Sequence, residues 1–253
     1  MTYSHNTYGD AFADVYDEWY QDLDDIDECS QFLLQLAERG TVLELGVGTG
    51  RIAIPLAALG AEFGVSVVGI DSSMAMLERL NSKQSDNARV HTIHGHMVRE
   101  MPNGPFSLVI LAYNTLFNLL SADEQCQCLS AAVARLSLGG HVVVDCFVPG
   151  DELPCYIAPH LQRTTPRGVV MSEAMVDIGQ QLVDGLFTEV GDDGTRIERP
   201  WRIRYSSVAD IDAMATAAGL HCEQRWSSYV PDAFTKQSVR HISVYGRLLN
   251  HRA

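Results

Sequence analysis

Apolar runs and helical stripes alternate along this chain between residues 41 and 150. Val42-Leu43-Glu44-Leu45, Val65 to Ile70, Phe106 to Ala112 and Val142-Val143-Val144 are short and dense in branched apolar residues. Such runs read as strands buried on both faces. A weaker strand, Arg89 to Ile93, lies between the second and fourth. The intervening segments carry apolar residues at helical spacing: Ile52 to Gly60, Met74 to Leu80 and residues 122–136. Repeated strand–helix–strand alternation predicts an α/β domain around a parallel sheet. Two helices are predicted ahead of it. Phe12, Val15, Tyr16 and Trp19 mark one over 8–20; Ile26, Phe32, Leu33 and Leu36 mark another over 24–38, ended by Arg39-Gly40. The alternation breaks over 151–205, where Val169–Val176, Gln181–Val190 and Arg196–Tyr205 read as strands, the last two joined by a Gly191-Asp192-Asp193-Gly194 turn. A helix, Val208–Ala218, and two strands, Leu220–Tyr229 and Ser238–Arg247, complete the pattern. There is no internal repeat and no low-complexity linker. Residues 1–253 therefore read as a single domain with an antiparallel β-rich insertion, 151–205, over its site.

Composition narrows the function. Of 253 residues 46% are hydrophobic, enough for a sizeable core. The formal net charge is −14, with lysine only at Lys83 and Lys236. That balance argues against nucleic acid and anionic membranes as partners. It fits a small, cationic substrate as well as it fits a plain solvated acidic surface. Six cysteines without a C-x-x-C pair, most in apolar segments, fit buried thiols in a reducing cytoplasm. The first residues lack the basic and apolar regions of a signal peptide, and no apolar run reaches the ~18 residues of a membrane span.

The chemistry concentrates in Glu44-Leu45-Gly46-Val47-Gly48-Thr49-Gly50-Arg51, where a strand becomes a helix. Alternate glycines permit a tight turn and close approach of a ligand, and the helix beyond presents unpaired N–H groups. The dinucleotide fingerprint is G-x-G-x-x-G. Here the spacing is G-x-G-x-G, with Glu44 two residues before the first glycine. A carboxylate there repels a pyrophosphate and attracts an ammonium group. Asp71, at the end of the second strand and 25 residues after Gly46, is placed to accept bonds from ribose hydroxyls; alone, it would read as a helix cap. His91, His94 and His96 alternate faces and have no acidic or thiol companion at ligand spacing, so no metal site is expected.

These features resemble class I S-adenosylmethionine-dependent methyltransferases. The Y-x3-F-A-x2-Y-D-x2-Y pattern starting at Tyr8 looks like the start of the antibiotic amino-sugar and amine N-methyltransferases. The segment Leu-x-x-Gly-Gly-x-Val-Val-Val-Asp ending at Asp145 also resembles the family. The resemblance implies a Rossmann-like seven-stranded sheet with helices on both faces and its last strand antiparallel, plus the β lid, and a helical lid over 1–38. It implies S-adenosyl-L-methionine as cofactor, released as S-adenosyl-L-homocysteine. Its expected contacts are Tyr16, Tyr20, Glu44, Gly46, Val47, Gly48, Gly50, Asp71, Ser72, Met76, Ala112 and Tyr113, with Met76 against adenine. At residues 96–97 the family often has Asp-Met; its Asp accepts a bond from the adenine amino group and the next N–H donates to the ring. Here His96 replaces that Asp, before Met97, and a neutral imidazole can accept one bond. Tyr8, Tyr16 and Phe117 are expected to shape the reaction chamber. The implied acceptor is a small-molecule amine, a deoxyamino sugar or a secondary amine such as a lincosamide prolyl nitrogen. An O-methyltransferase, a nicotinamide-dependent oxidoreductase and a non-catalytic binding module stand as alternatives, and self-association into a homo-oligomer is left open. Arg196, Arg199, Arg202 and Arg204 read either as an anion grip or as a charged strand that discourages edge pairing.

Overall fold

The computed structural model describes residues 3–21, 25–84, 90–150, 152–230 and 232–248. Arg89, the expected start of the third strand, lies outside them, as do residues 1–2 and 22–24 of the N-terminal segment and Asp151 of the insertion. The strands β1 (Thr41–Leu45), β2 (Ser66–Asp71), β3 (Val90–His94), β4 (Phe106–Leu111), β5 (Leu136–Phe147), β10 (Leu220–Trp226) and β11 (Arg240–Arg247) form one sheet. Its order is β10-β11-β5-β4-β1-β2-β3. The first five run parallel, and β11 runs antiparallel to both neighbours. The chain leaves β1 towards β2 and β3 on one side, then returns to β4 and β5 on the other. That reversal opens a crevice at the carboxyl ends of β1 and β4, where ligands bind in open α/β sheets.

Helices α3 (Ile26–Ala37), α4 (Ala53–Gly60) and α5 (Met74–Lys83) precede α6 (Ala122–Arg135) and α7 (Val208–Ala217). Side chains of α3 and α4 bury Val42, Val67, Leu108 and Val143 of one sheet face. Side chains of α6 and α7 bury Leu43, Val109, Val142 and Val144 of the other. The residues alternate along each strand, as the pleat requires. Serine oxygens at the starts of α5, α6 and α7 accept N–H bonds from Met76, Glu124 and Asp210, closing three helix N-termini.

Three expectations are corrected. The segment 8–20 is two short helices, α1 (Thr7–Phe12) and α2 (Tyr16–Trp19), bent at Ala13 to Val15. Phe12, Val15 and Trp19 of the expected stripe still share one buried cluster across the bend. Strand β5 begins at Leu136, within the segment expected to end the preceding helix and well ahead of the Val142-Val143-Val144 run; Gly139, at φ 77, carries it through an irregular register against β4. The insertion holds four strands, not three: β6 (Tyr156–Thr165), β7 (Gly168–Asp177), β8 (Leu182–Gly191) and β9 (Arg196–Arg204), paired antiparallel in sequence order. β6 lies at the edge and is largely exposed, so its sequence carries no apolar alternation.

The second sheet packs on the N-terminal helices. Phe187 and Val170 join Phe12, Val15 and Trp19. Arg199 donates to both carboxylate oxygens of Asp14, at 2.7 and 2.9 Å, and to Glu189 at 3.2 Å. Arg202 pairs with Asp184, and Arg204 donates to Gln125, Gln181 and Ser206. Three of the four arginines therefore serve the fold, and the anion grip is withdrawn. No helix among the described residues is long and apolar enough to cross a membrane.

Candidate active site

The crevice holds a cavity of about 290 Å³. Its floor is the β1 loop. Gly46 and Gly48 take φ of 65° and 55°, a region that costs an L-residue about 1–2 kcal/mol. A Cβ on Gly46 would lie 2.7 Å from Thr115 Cγ2, whereas one on Gly48 would meet nothing within 4 Å. Gly48 thus presents bare backbone to open space beside Val47. Gly50 differs from expectation: it does not line this cavity, and its Cβ would lie 2.7 Å from Leu80 Cγ. Its glycine lets the loop settle on α5.

Two acids face the cavity, Glu44 buried and Asp71 partly buried. Asp71 accepts the Gly48 N–H at 2.8 Å on one oxygen and the Ser73 N–H at 2.8 Å on the other. Both oxygens keep a free lone pair, and burial raises the carboxyl above its usual pKa. Glu44 is 5% exposed, and its Oε2 has no hydrogen-bond partner among the described residues. Burial, and secondly the charge of Asp71, raise its pKa to about 8.

The N-terminal helices close one side. Tyr8, Tyr16 and Tyr20 line the cavity with Arg51. The Tyr8 and Tyr20 hydroxyls stand 3.4 Å apart, and Tyr8 stacks on Phe12. The Arg51 guanidinium sits 4.9, 5.2 and 5.3 Å from the ring centres of Tyr16, Tyr20 and Tyr113. Its Nη2 is buried without a partner among the described residues. Burial pushes the Tyr16 phenol up to about 12 against the pull of Arg51, and raises Tyr8 well above its ordinary value. Both stay protonated at neutral pH.

On the β3 side lie Ser72, Met76, His96 and Met97, together with His5. The Val98 N–H donates to His96 Nδ1 at 3.2 Å, and the His96 N–H donates to Glu100 at 2.6 Å. His5 meets the His96 ring edge-on at 5.1 Å. Burial, then the neighbouring His5, lower the His96 pKa, so the ring is neutral at pH 7.

Beyond β4, Ala112 and Tyr113 line the cavity with Asn114, Thr115 and Asn118. Tyr113 and Asn114 both adopt positive φ, 48° and 69°. Asp145 holds this corner: its Oδ2 accepts the Tyr113 N–H at 3.1 Å and its carbonyl accepts the Asn114 N–H at 2.9 Å. Arg240 grips the Asp145 carboxylate at 2.7 and 2.8 Å, and Tyr229 donates to it at 3.0 Å. Phe117 is corrected. It is fully buried in the core, and the cavity wall is Phe147, against which it packs at 5.1 Å. The remaining wall, Phe187, Trp201 and Ile203, comes from β8 and β9. Sequence reading missed those three residues and Arg51. The arginine adjoins the glycine loop, which was the available signal; no local pattern marks the other three.

Comparison with known proteins fixes the family. A model described as "Methyltransferase domain" matches residues 42–140. The CcbJ methyltransferase of Streptomyces caelestis superposes with a TM-score of 0.90 at 36% identity, covering 97% of this chain and 99% of that one. The chain belongs to the S-adenosylmethionine-dependent methyltransferases. Cypemycin N-terminal methyltransferase of a Streptomyces species is 27% identical to this methyltransferase over 211 residues, 82% of this chain and 83% of the relative. CalS10 of Micromonospora echinaspora, an amino pentose methyltransferase whose structure contains S-adenosylmethionine, shares the fold. It has a TM-score of 0.69 at 18% identity, covering 92% of this chain and 96% of that one.

The residues of this methyltransferase fit the cofactor. An orphaned carboxylate oxygen on Glu44 suits an ammonium, an orphaned guanidinium nitrogen on Arg51 suits a carboxylate, and Asp71 has lone pairs for two hydroxyls. These groups and His96 follow one another along the carboxyl ends of adjacent strands β1, β2 and β3. That is the order of amino acid, ribose and base.

Proposed function

We propose that this protein is an N-methyltransferase acting on a small-molecule amine, a deoxyamino sugar or a prolyl-type secondary amine, in antibiotic or other secondary-metabolite synthesis. S-adenosylmethionine supplies a methyl on a sulfonium, which an incoming nucleophile displaces in line. In this reading Glu44 and Arg51 hold the two charges of its amino acid end. Asp71 holds the ribose, Met76 and His96 border the base, and Ser72, Met97, Ala112 and the loop backbone line the path. Tyr8, Tyr16, Tyr20 and Tyr113 surround the transferring methyl, and residues 1–38 with 151–205 act as lids.

The observation that carries the amine reading is the composition of the acceptor wall. Among the described residues, the side formed by Phe147, Phe187, Trp201, Asn114, Asn118 and the tyrosines carries no lysine, histidine or carboxylate. An alcohol requires a base to remove its proton. The Tyr8 and Tyr16 phenols, held protonated by burial, are not bases, though their oxygens can still accept a hydrogen bond. An amine requires only its neutral form, which an aromatic pocket favours by desolvation. A phenol can then accept its N–H and aim its lone pair. Alignment of this kind contributes up to about 7–11 kcal/mol. A relative named as an N-terminal methyltransferase is consistent with such an acceptor. The test is incubation with S-adenosylmethionine and matched amines and alcohols, read by mass spectrometry. Methylation of amines alone is expected; methylation of the alcohols with the amines untouched would overturn the proposal.

A further inference from the structure

We propose that this enzyme reads the cofactor's base by donating a hydrogen bond from His96 to a ring nitrogen, and leaves the exocyclic amino group unread. The inference rests on the cofactor placement above. A neutral imidazole has one acceptor and one donor nitrogen, and the tautomer is set by whichever partner binds first. The Val98 N–H can only donate, and it points at His96 Nδ1 from 3.2 Å. Turning the ring over would set a C–H against that N–H, so the Nδ1 contact is also the better ring orientation. Nδ1 is therefore the acceptor, already used, and the proton lies on Nε2. Among the described residues nothing pairs with Nε2, while His96 itself lines the cavity.

Adenine offers one donor group, its amino group, and acceptors only at its ring nitrogens. A donor at His96 cannot bind the amino group and can bind a ring nitrogen. The family's Asp at this place would behave differently: one oxygen could take the Val98 N–H and the other would remain an acceptor for the amino group. The expectation that His96 stands in as an acceptor is thereby reversed.

The test is calorimetric titration of the full chain with S-adenosylhomocysteine and with its 6-deamino analogue, in which hydrogen replaces the amino group. The wild type is expected to bind both within about threefold. His96→Asp is expected to prefer the amino form by about tenfold, and His96→Leu to weaken both equally by about five- to tenfold, the scale of one net hydrogen bond. A thermal melt shows that each variant is folded. A wild type that discriminates tenfold, or a His96→Leu variant with unchanged affinities, would overturn the proposal. A wild type that binds neither ligand would instead overturn the cofactor placement on which it rests.

Discussion

Glu44→Gln separates binding from stability. The Glu44 pKa is raised to about 8, by burial first and by Asp71 second. An unfolded glutamate titrates near about 4.3. Between those values the native state binds more protons than the unfolded one. The carboxyl's contribution to stability is therefore full below the unfolded pKa and is lost as pH rises through about 8. Binding an ammonium requires the carboxylate, so it must expel that proton. At pH 7 roughly one Glu44 in ten is ionised, and affinity for S-adenosylhomocysteine should rise about tenfold between pH 7 and 9. Calorimetry in buffers of different ionisation heat should show release of nearly one proton at pH 7. Gln cannot ionise. Its affinity should lack this rise and, at pH 9, fall short of wild type by about 1.5–3 kcal/mol, the worth of a charged hydrogen bond. Titration of the ligand's own amine affects both proteins alike and cancels in their ratio. The unliganded variant should melt higher than wild type at pH 9. A constant wild-type to variant affinity ratio across pH, or a variant that melts lower at pH 9, would refute the reasoning.

Other expectations follow from the same geometry. Arg199→Met leaves buried Glu189 with only the half-exposed Arg167, at 3.3 Å, and unties β9 from Asp14; it should cost up to about 3 kcal/mol, seen as a lower melting temperature and faster proteolysis of the N-terminal segment. Asp145→Asn removes one of the two carboxylates that hold Arg240, leaving Asp25, and loosens the Tyr113–Asn114 corner; kcat should fall more than S-adenosylhomocysteine affinity. Phe117→Leu should destabilise by about 1–2 kcal/mol with acceptor KM unchanged, whereas Phe147→Leu should change KM, because only Phe147 meets the cavity.

The parallel sheet was legible because strands buried on both faces read as dense apolar runs, such as Leu108 to Leu111. The loop and Asp71 were legible as cavity residues because a tight glycine turn and one acid at a strand end leave a fixed pattern in the sequence. β6 was not, because an exposed edge strand need not alternate. Phe117 and Phe147 could not be told apart, since both are aromatic residues near strand ends and only the turn at Asn114 decides which faces inward. The aromatic wall of the cavity was hidden for a simpler reason: Phe187 and Trp201 reach it across about 70 to 90 residues of chain from Tyr113 and belong to strands whose patterns show only packing. The role of His96 turned on its bond to Val98, which no residue spacing reveals.

The central claim is transfer of a methyl from S-adenosylmethionine to nitrogen. Its most direct test offers one acceptor carrying both a secondary amine and a free hydroxyl, with S-adenosylmethionine labelled at the methyl carbon. Carbon NMR of the product then reads which atom received it. The account predicts the labelled methyl on nitrogen, with transfer lost when Asp71 is replaced by alanine; a labelled methyl on oxygen would contradict it.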